Sequence, residues 1–376
     1  MKETVGLYIH IPFCKNKCFY CDFPSFSGKE ALMVDYAKAL SKEIDEVCKG
    51  KLISTIFIGG GTPTYLCIEG WKIIAESIKK LKFSTNEFEF TVEGNPNSFK
   101  KELLEIFKEI GVNRISMGLQ AVQEYHLKSI GRIHTLDDFK NSYTMLREAG
   151  FNNINVDLMF GLPNQSLDQW MESLSEVVKL KPEHLSCYSL IIEEGTKFYD
   201  LYESNSLLLP NEDVERNMYS GAIEFLNKNG YHQYEISNFA KNKLECKHNK
   251  IYWKLENYIG CGSSSHSYID GIRYRNESNI EKYIYSINNK GTAVVEKIIN
   301  TEKDEIEEFI FLGLRLIEGF SIIEFQQRFK ISIFEKYKEV IEKHINIGLL
   351  KFENNRLFLT SKGIELSNQV MADFIL

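Results

Sequence analysis

The chain reads as an α/β protein: a partial, three-quarter TIM-like (β/α)6 barrel followed by a C-terminal winged-helix-like domain. Short β-branched runs alternate with amphipathic helical stretches up to about residue 230, the pattern of βα units around a parallel sheet. The units stop at six, short of the eight that close a barrel, so the sheet is expected to stay open. Beyond residue 300 the order changes to helix, short helix, helix, hairpin and final helix, which is winged-helix-like.

Strands are predicted at 5–11, 54–58, 88–92, 114–118, 153–159 and 184–190. Helical spacing separates them; over 35–48, for example, Tyr36, Leu40, Ile44 and Val47 recur on one face. Residues 231–300 are aromatic and rich in Asn and Ser, with the run Gly260-Cys-Gly-Ser-Ser-Ser-His266, and read as irregular strands and loops capping the barrel. In the last segment, helices are predicted over 303–316, 322–329 and 334–346, and a hairpin over 349–359. The domain division is therefore 1–230, 231–300 and 301–376. No internal repeat or low-complexity tract stands out.

Composition narrows the function classes. Lys and Arg total 45 against 52 Asp and Glu, a net charge of −7, so the chain as a whole does not attract a phosphate backbone. Nucleic acid is not an expected partner, and the even mix of Glu and Lys on the late helices favours a structural lid over DNA binding. No run reaches the roughly 20 apolar residues of a membrane helix, and the first residues lack the apolar core of a secretion signal. A cytoplasmic location is expected. Eight cysteines in 376 residues do not make a disulfide framework. Five of them (Cys48, Cys67, Cys187, Cys246 and Cys261) lack ligand-like spacing and read mostly as buried small apolar residues.

The remaining three, Cys14, Cys18 and Cys21, form C-x3-C-x2-C just after the first strand. Three thiolates from one loop leave one of the four irons of a cubane cluster without a protein ligand. This spacing resembles that of the radical S-adenosylmethionine (SAM) superfamily, and the resemblance implies that the open iron chelates SAM. Two other readings of the same residues stand beside it: a Cys3His zinc site completed by His10, and unliganded buried thiols.

Other chemistry-bearing residues fall at strand ends. Gly59-Gly60-Gly61-Thr62-Pro63 follows the second strand, and consecutive glycines let a ligand approach the backbone; elsewhere such a run is a plain turn. Glu93 ends the third strand, either as a ligand contact or as a solvated charge. Arg132 is suited to a charge-assisted pair with a carboxylate, the alternative being a surface salt bridge. Asp157 sits between Val156 and Leu158, where a carboxylate needs a partner.

Taken in order, Tyr8-Ile-His-Ile-Pro-Phe-Cys14, Gly60-Gly-Thr62-Pro63, Asn155-Val-Asp157-Leu-Met-Phe-Gly161-Leu-Pro163, Tyr234-Glu-Ile-Ser-Asn238-Phe-Ala240 and Leu359-Thr-Ser-Lys-Gly363 resemble the coproporphyrinogen oxidase-like (HemN-like) branch of the radical SAM superfamily. The resemblance covers nearly the whole chain. It implies a radical SAM barrel with a [4Fe–4S] cluster on Cys14, Cys18 and Cys21. It further implies SAM contacts from Tyr8, Gly60, Glu93, Arg132, Asp157 and Ile191, and a second SAM position involving Tyr20, Gly61, Thr62 and Gln120.

Two departures separate the chain from the oxidase pattern. Phe23 stands where that pattern has a fourth cysteine, and only 13 residues precede Cys14. Both match the sister HemW group of heme-binding proteins, which deliver heme to target enzymes, and His248-Asn249-Lys-Ile-Tyr252-Trp253 is similar to that group's HNxxYW motif. Histidine is a common axial heme ligand, so His248 is the candidate ligand, with Lys241, Lys243, Lys247, Lys250 and Lys254 as candidate propionate contacts; the bland reading is a structural histidine. The resemblance implies a heme carrier lacking oxidase activity, whose partners are heme, heme-accepting proteins and, if SAM is cleaved, an electron donor. The alternative is oxygen-independent oxidation of coproporphyrinogen III to protoporphyrinogen IX.

Overall fold

The computed structural model describes residues 4–84 and 88–375. The barrel strands are β1 (Thr4–Ile11), β2 (Leu52–Gly60), the two-residue β3 (Lys82–Phe83) beside β2, β4 (Glu89–Gly94), β5 (Arg114–Gln120), β6 (Ile154–Phe160) and β7 (His184–Ser189). Pairs β1–β2, β2–β4, β4–β5, β5–β6 and β6–β7 are all parallel. Each main strand is largely apolar and buried, as a sheet covered on both faces requires; β5 is buried along its whole length.

Residues 231–300 lengthen this sheet at both edges instead of forming loops above it. Here lie β8 (His232–Glu235), β9 (Asn238–Ala240), β10 (Tyr258–Cys261), β11 (His266–Ile269), β12 (Ile272–Asn276) and β13 (Val294–Ile299). Strand β10 pairs parallel to β1, β9 runs antiparallel to β7, and the sheet runs from β13 to β8 without closing. The open barrel expected from six βα units is the one observed, with one more parallel strand recruited from later in the chain.

Helices cover the outside. Met33–Val47 buries Tyr36, Leu40 and Ile44, each apolar side chain contributing roughly 1.5–3 kcal/mol. Leu136–Glu148 and Leu167–Lys179 start at capping boxes on Thr135 and Ser166, which satisfy orphan N–H groups at the helix start.

The C-terminal segment has its own core, built around Phe309, Phe320, Phe325 and Phe329. Helices Glu302–Gly313, Ile322–Phe329 and Lys338–Asn346 are joined by β14 (Phe320–Ser321), β15 (Leu350–Glu353) and β16 (Arg356–Leu359), the winged-helix order. Asn354 and Asn355 turn the hairpin with φ of 51° and 60°, the left-handed pair that a tight hairpin needs. One predicted helix is broken: 334–346 divides at Tyr337, where φ is −120°.

Candidate functional site

The cysteine loop is pinned on two sides. Cys14 N–H donates to Phe26 O (3.0 Å) and Phe26 N–H to Pro12 O (2.8 Å), while Phe19 N–H reaches Ile130 O (3.0 Å) and Asn16 reaches Gly131 O (2.9 Å). All three thiols are free; Cys14 is buried and Cys18 and Cys21 are partly exposed. Burial raises the Cys14 thiol and pushes Cys21 up to about 11, and in both Cys18 adds to the rise as a nearby negative group. Thr62 Oγ1 lies 3.5 Å from Cys14 Sγ, and Arg132 Nη1 the same distance from Cys18 Sγ. Three cysteines on one loop with a guanidinium beside Cys18 are a donor set that fits an anionic iron–sulfur group, although among the described residues no three such side chains are drawn close enough together to hold a metal ion. His10, the fourth ligand of the zinc alternative, is engaged at both ring nitrogens, by Tyr8 Oη (3.0 Å) and Pro24 O (2.8 Å).

Register carries the other strand-end residues inward. Ile11 lies beside Gly60, Glu93 beside Ser116, and Asp157 between Gly118 and Ser186. Tyr8, Gly60, Glu93 and Asp157 consequently line one cavity of about 400 Å³ inside the barrel. Gly60 has a φ of 110°, and a Cβ there would lie 2.5 Å from the His10 ring; its N–H donates to Glu93 Oε2 at 3.3 Å. Burial, then the charge of Asp157, raises the Glu93 carboxyl to about 8. Asp157 is also raised, mainly by burial, although it accepts from Ser116 (3.2 Å) and Asn155 (2.7 Å). Two half-buried carboxyl groups facing one space favour a ligand with a positive charge or with hydroxyl donors.

Thr62 and Arg132 face elsewhere. With Cys18, Lys15, Asn95 and His134 they line a second cavity of about 570 Å³ beside the cysteine loop. Arg132 donates to Asn95 Oδ1 (2.6 Å) and Gly118 O (2.5 Å). Among the described residues, Tyr20, Gly61, Gln120 and Ile191 line neither cavity. Tyr20 packs in the small apolar cluster with Phe19 and Leu190, Gly61 touches the cysteine loop, and Ile191 is 65% exposed. Gln120 is buried with a φ of 76°, a left-handed conformation that side chains other than glycine rarely adopt.

His248 has a different place from the one its Lys-rich surroundings suggest. It is fully buried on the short helix Lys247–Trp253. Its Nδ1 lies 2.7 Å from Thr55 Oγ1, its Nε2 2.8 Å from Tyr252 Oη, and its ring stacks on Phe57. The expectation of an axial ligand is corrected because both nitrogens are committed and the ring is fully buried; burial also lowers its pKa to about 3. Lys250 pairs with Glu245 and Lys241 donates to Lys181 O (3.0 Å), so these two of the five lysines are engaged elsewhere. What the motif does contribute is Asn249 and Tyr252, which line the 400 Å³ cavity together with Glu93 and Asp157. Phe23, Arg114 and His266 line it too. The sequence reading had not placed these residues there, and only the departure at Phe23 signalled any of them.

Comparison with known proteins agrees with this architecture. Residues 8–177 match the Radical SAM superfamily and residues 300–366 the HemN C-terminal domain. The solved structure of coproporphyrinogen III oxidase (HemN) from Escherichia coli superposes with a TM-score of 0.85 at 22% identity, covering 99% of this chain and 90% of that one, a likeness of fold. Heme chaperone HemW of Bacillus subtilis is 40% identical over 98% of both chains, and heme chaperone HemW of Lactococcus lactis 38% identical over 100% of this chain and 98% of its own. On that end-to-end identity, the chain belongs to the HemW family of the radical SAM superfamily.

Proposed function

We propose that the chain is a heme chaperone, binding heme reversibly and passing it to heme-accepting proteins. The observation that carries this reading is the full-length kinship with proteins named heme chaperones. Phe23 in place of the oxidase's fourth cysteine supports it, and so does the HNxxYW segment, whose Asn249 and Tyr252 wall the barrel cavity.

In this reading Cys14, Cys18 and Cys21 hold a [4Fe–4S] cluster, which when bound supplies an electron and an open iron for SAM. Glu93 and Asp157, with Tyr8 and Gly60, orient SAM in the cavity, and Arg132 acts on the cluster side through Cys18. Heme is held without a thioether, since the chain has no C-x-x-C-H attachment motif. Among the described residues no helix is long and apolar enough to cross a membrane; the place of work in this proposal is the cytoplasm.

The test is direct. Heme added to the anaerobically reconstituted chain should give a Soret band at one heme per chain, with no conversion of coproporphyrinogen III under reducing conditions. A chain that binds no heme yet makes protoporphyrinogen IX is the oxidase instead.

A further inference from the structure

An axial heme ligand needs an imidazole nitrogen free to reach iron. The chain has eight histidines, and the structure removes most of them. His10, His184 and His248 have both ring nitrogens engaged. His126, His134 and His344 are buried, with Nε2 held by Gln169, Leu119 O and Asp373 respectively. Two remain exposed with no ring hydrogen bond among the described residues: His232, on β8 at one edge of the sheet, and His266, at the start of β11. Only His266 lines the barrel cavity.

We propose that His266 is the axial ligand of heme, bound at the mouth of the barrel cavity with the exposed ring of Phe23 against the macrocycle. This rests on the heme-chaperone reading and gives it a site. Phe23 is 59% exposed and Tyr188 39%, and both line the same cavity as His266; large aromatic rings left open to solvent beside a free imidazole suit a flat apolar ligand. A space of about 400 Å³ falls at the lower end of small-molecule pockets, roughly 300–1,000 Å³. The macrocycle therefore lies partly outside, as a cargo to be handed on must. Tyrosine is another heme ligand, but burial raises the phenols of Tyr8, Tyr252 and Tyr258 in this cavity, and the phenol of Tyr188, whose side chain is partly open to solvent, is raised by desolvation and then by the charge of Asp157, which disfavours a phenolate. Arg275 lies directly across from His266 on β12 (Ile272–Asn276); partial burial, then the charges of Arg275 and Arg273, lower the His266 pKa against the opposing charge of Glu296, which favours the neutral imidazole, the form that donates a lone pair.

The experiment compares heme-loaded full-length parent, His266→Ala, His266→Gln and His232→Ala. His266→Ala should move the Soret maximum, weaken heme at least tenfold and recover the parent's spectrum when free imidazole is added, while His232→Ala matches the parent. In the parent, heme should shield His266 from carbethoxylation by diethyl pyrocarbonate, read by mass spectrometry, and this measurement needs no variant to fold. Parent-like spectrum and affinity in a His266 variant, or equal labelling of His266 with and without heme, overturns the assignment and leaves the chaperone reading standing. A parent that binds no heme overturns both.

Discussion

Arg132 Nη1 stands 3.5 Å from the Sγ of Cys18, and the same guanidinium is held by Asn95 and the Gly118 carbonyl. The arginine is thus fixed by the ends of two strands and aimed at a thiol of the cysteine loop. A donor at a cluster sulfur stabilises the more negative, reduced state. Arg132→Met should leave iron content unchanged and lower the cluster's midpoint potential. A hydrogen bond to a charged group is worth about 1.5–3 kcal/mol, which for a one-electron couple corresponds to about 60–130 mV. Redox titration followed by electron paramagnetic resonance checks it; an unmoved potential would show that the arginine only braces the loop.

Gly61, the residue after β2, makes the complementary contact. A Cβ there would lie 2.8 Å from Phe13 O, 3.0 Å from Cys14 Sγ and 3.1 Å from Ile11 O, and two of these three are backbone atoms that have no side-chain freedom to yield. Gly61→Ala should cost about 1–3 kcal/mol by overpacking and displace Cys14, cutting reconstituted iron by half or more. Iron analysis beside a thermal melt separates the two effects, and full iron content in a folded variant would contradict the contact.

The open barrel and the cysteine loop were legible in the sequence because both are local. Buried parallel strands are continuous apolar runs, and C-x3-C-x2-C is a spacing within one loop. Strands β10 and β11 were not legible. They are four residues each, interrupted by the Gly- and Ser-rich run before His266, and β10 becomes a strand only by pairing with β1, some 250 positions earlier. His248 misled for the same reason. Its neighbours Lys247 and Lys250 suggest a surface, yet the helix Lys247–Trp253 lies against β2, where Thr55 and Phe57 bury the ring. Arg132 and Asp157 were both recognised as strand-end charges, but only the folded chain, which holds Arg132 on a loop beyond β5, shows that they line different cavities.

Glu93 sets a pH dependence. Its carboxyl is raised from the ordinary 4.5 to about 8 by burial and by Asp157, so between those values the folded chain holds a proton that the unfolded chain has released. The stabilisation is complete below about 4.5 and is lost as pH rises through about 8, at up to about 1.4 kcal/mol per pH unit. Glu93→Gln should flatten that decline in the ligand-free chain. Urea unfolding at pH 6, 7 and 8 measures it, and identical pH profiles in parent and variant would place the titration elsewhere.

Tyr8, Glu93 and Asp157, the proposed SAM contacts, and His266, the proposed heme ligand, border one cavity of about 400 Å³. Two ligands that draw on the same walls cannot bind independently, and in a space this small each should weaken the other. Saturating SAM should raise the Kd for heme by a factor within the usual 5–150-fold range of linked sites, and heme should raise the Kd for SAM by that same factor, because the coupling free energy is shared. Soret titrations with and without SAM, matched by calorimetric SAM titrations with and without heme, measure both sides of the cycle. His266→Ala should remove the effect on SAM while leaving SAM affinity in the absence of heme near the parent's. A coupling factor of one in the parent would mean that heme sits away from the barrel mouth, on a surface that SAM does not reach.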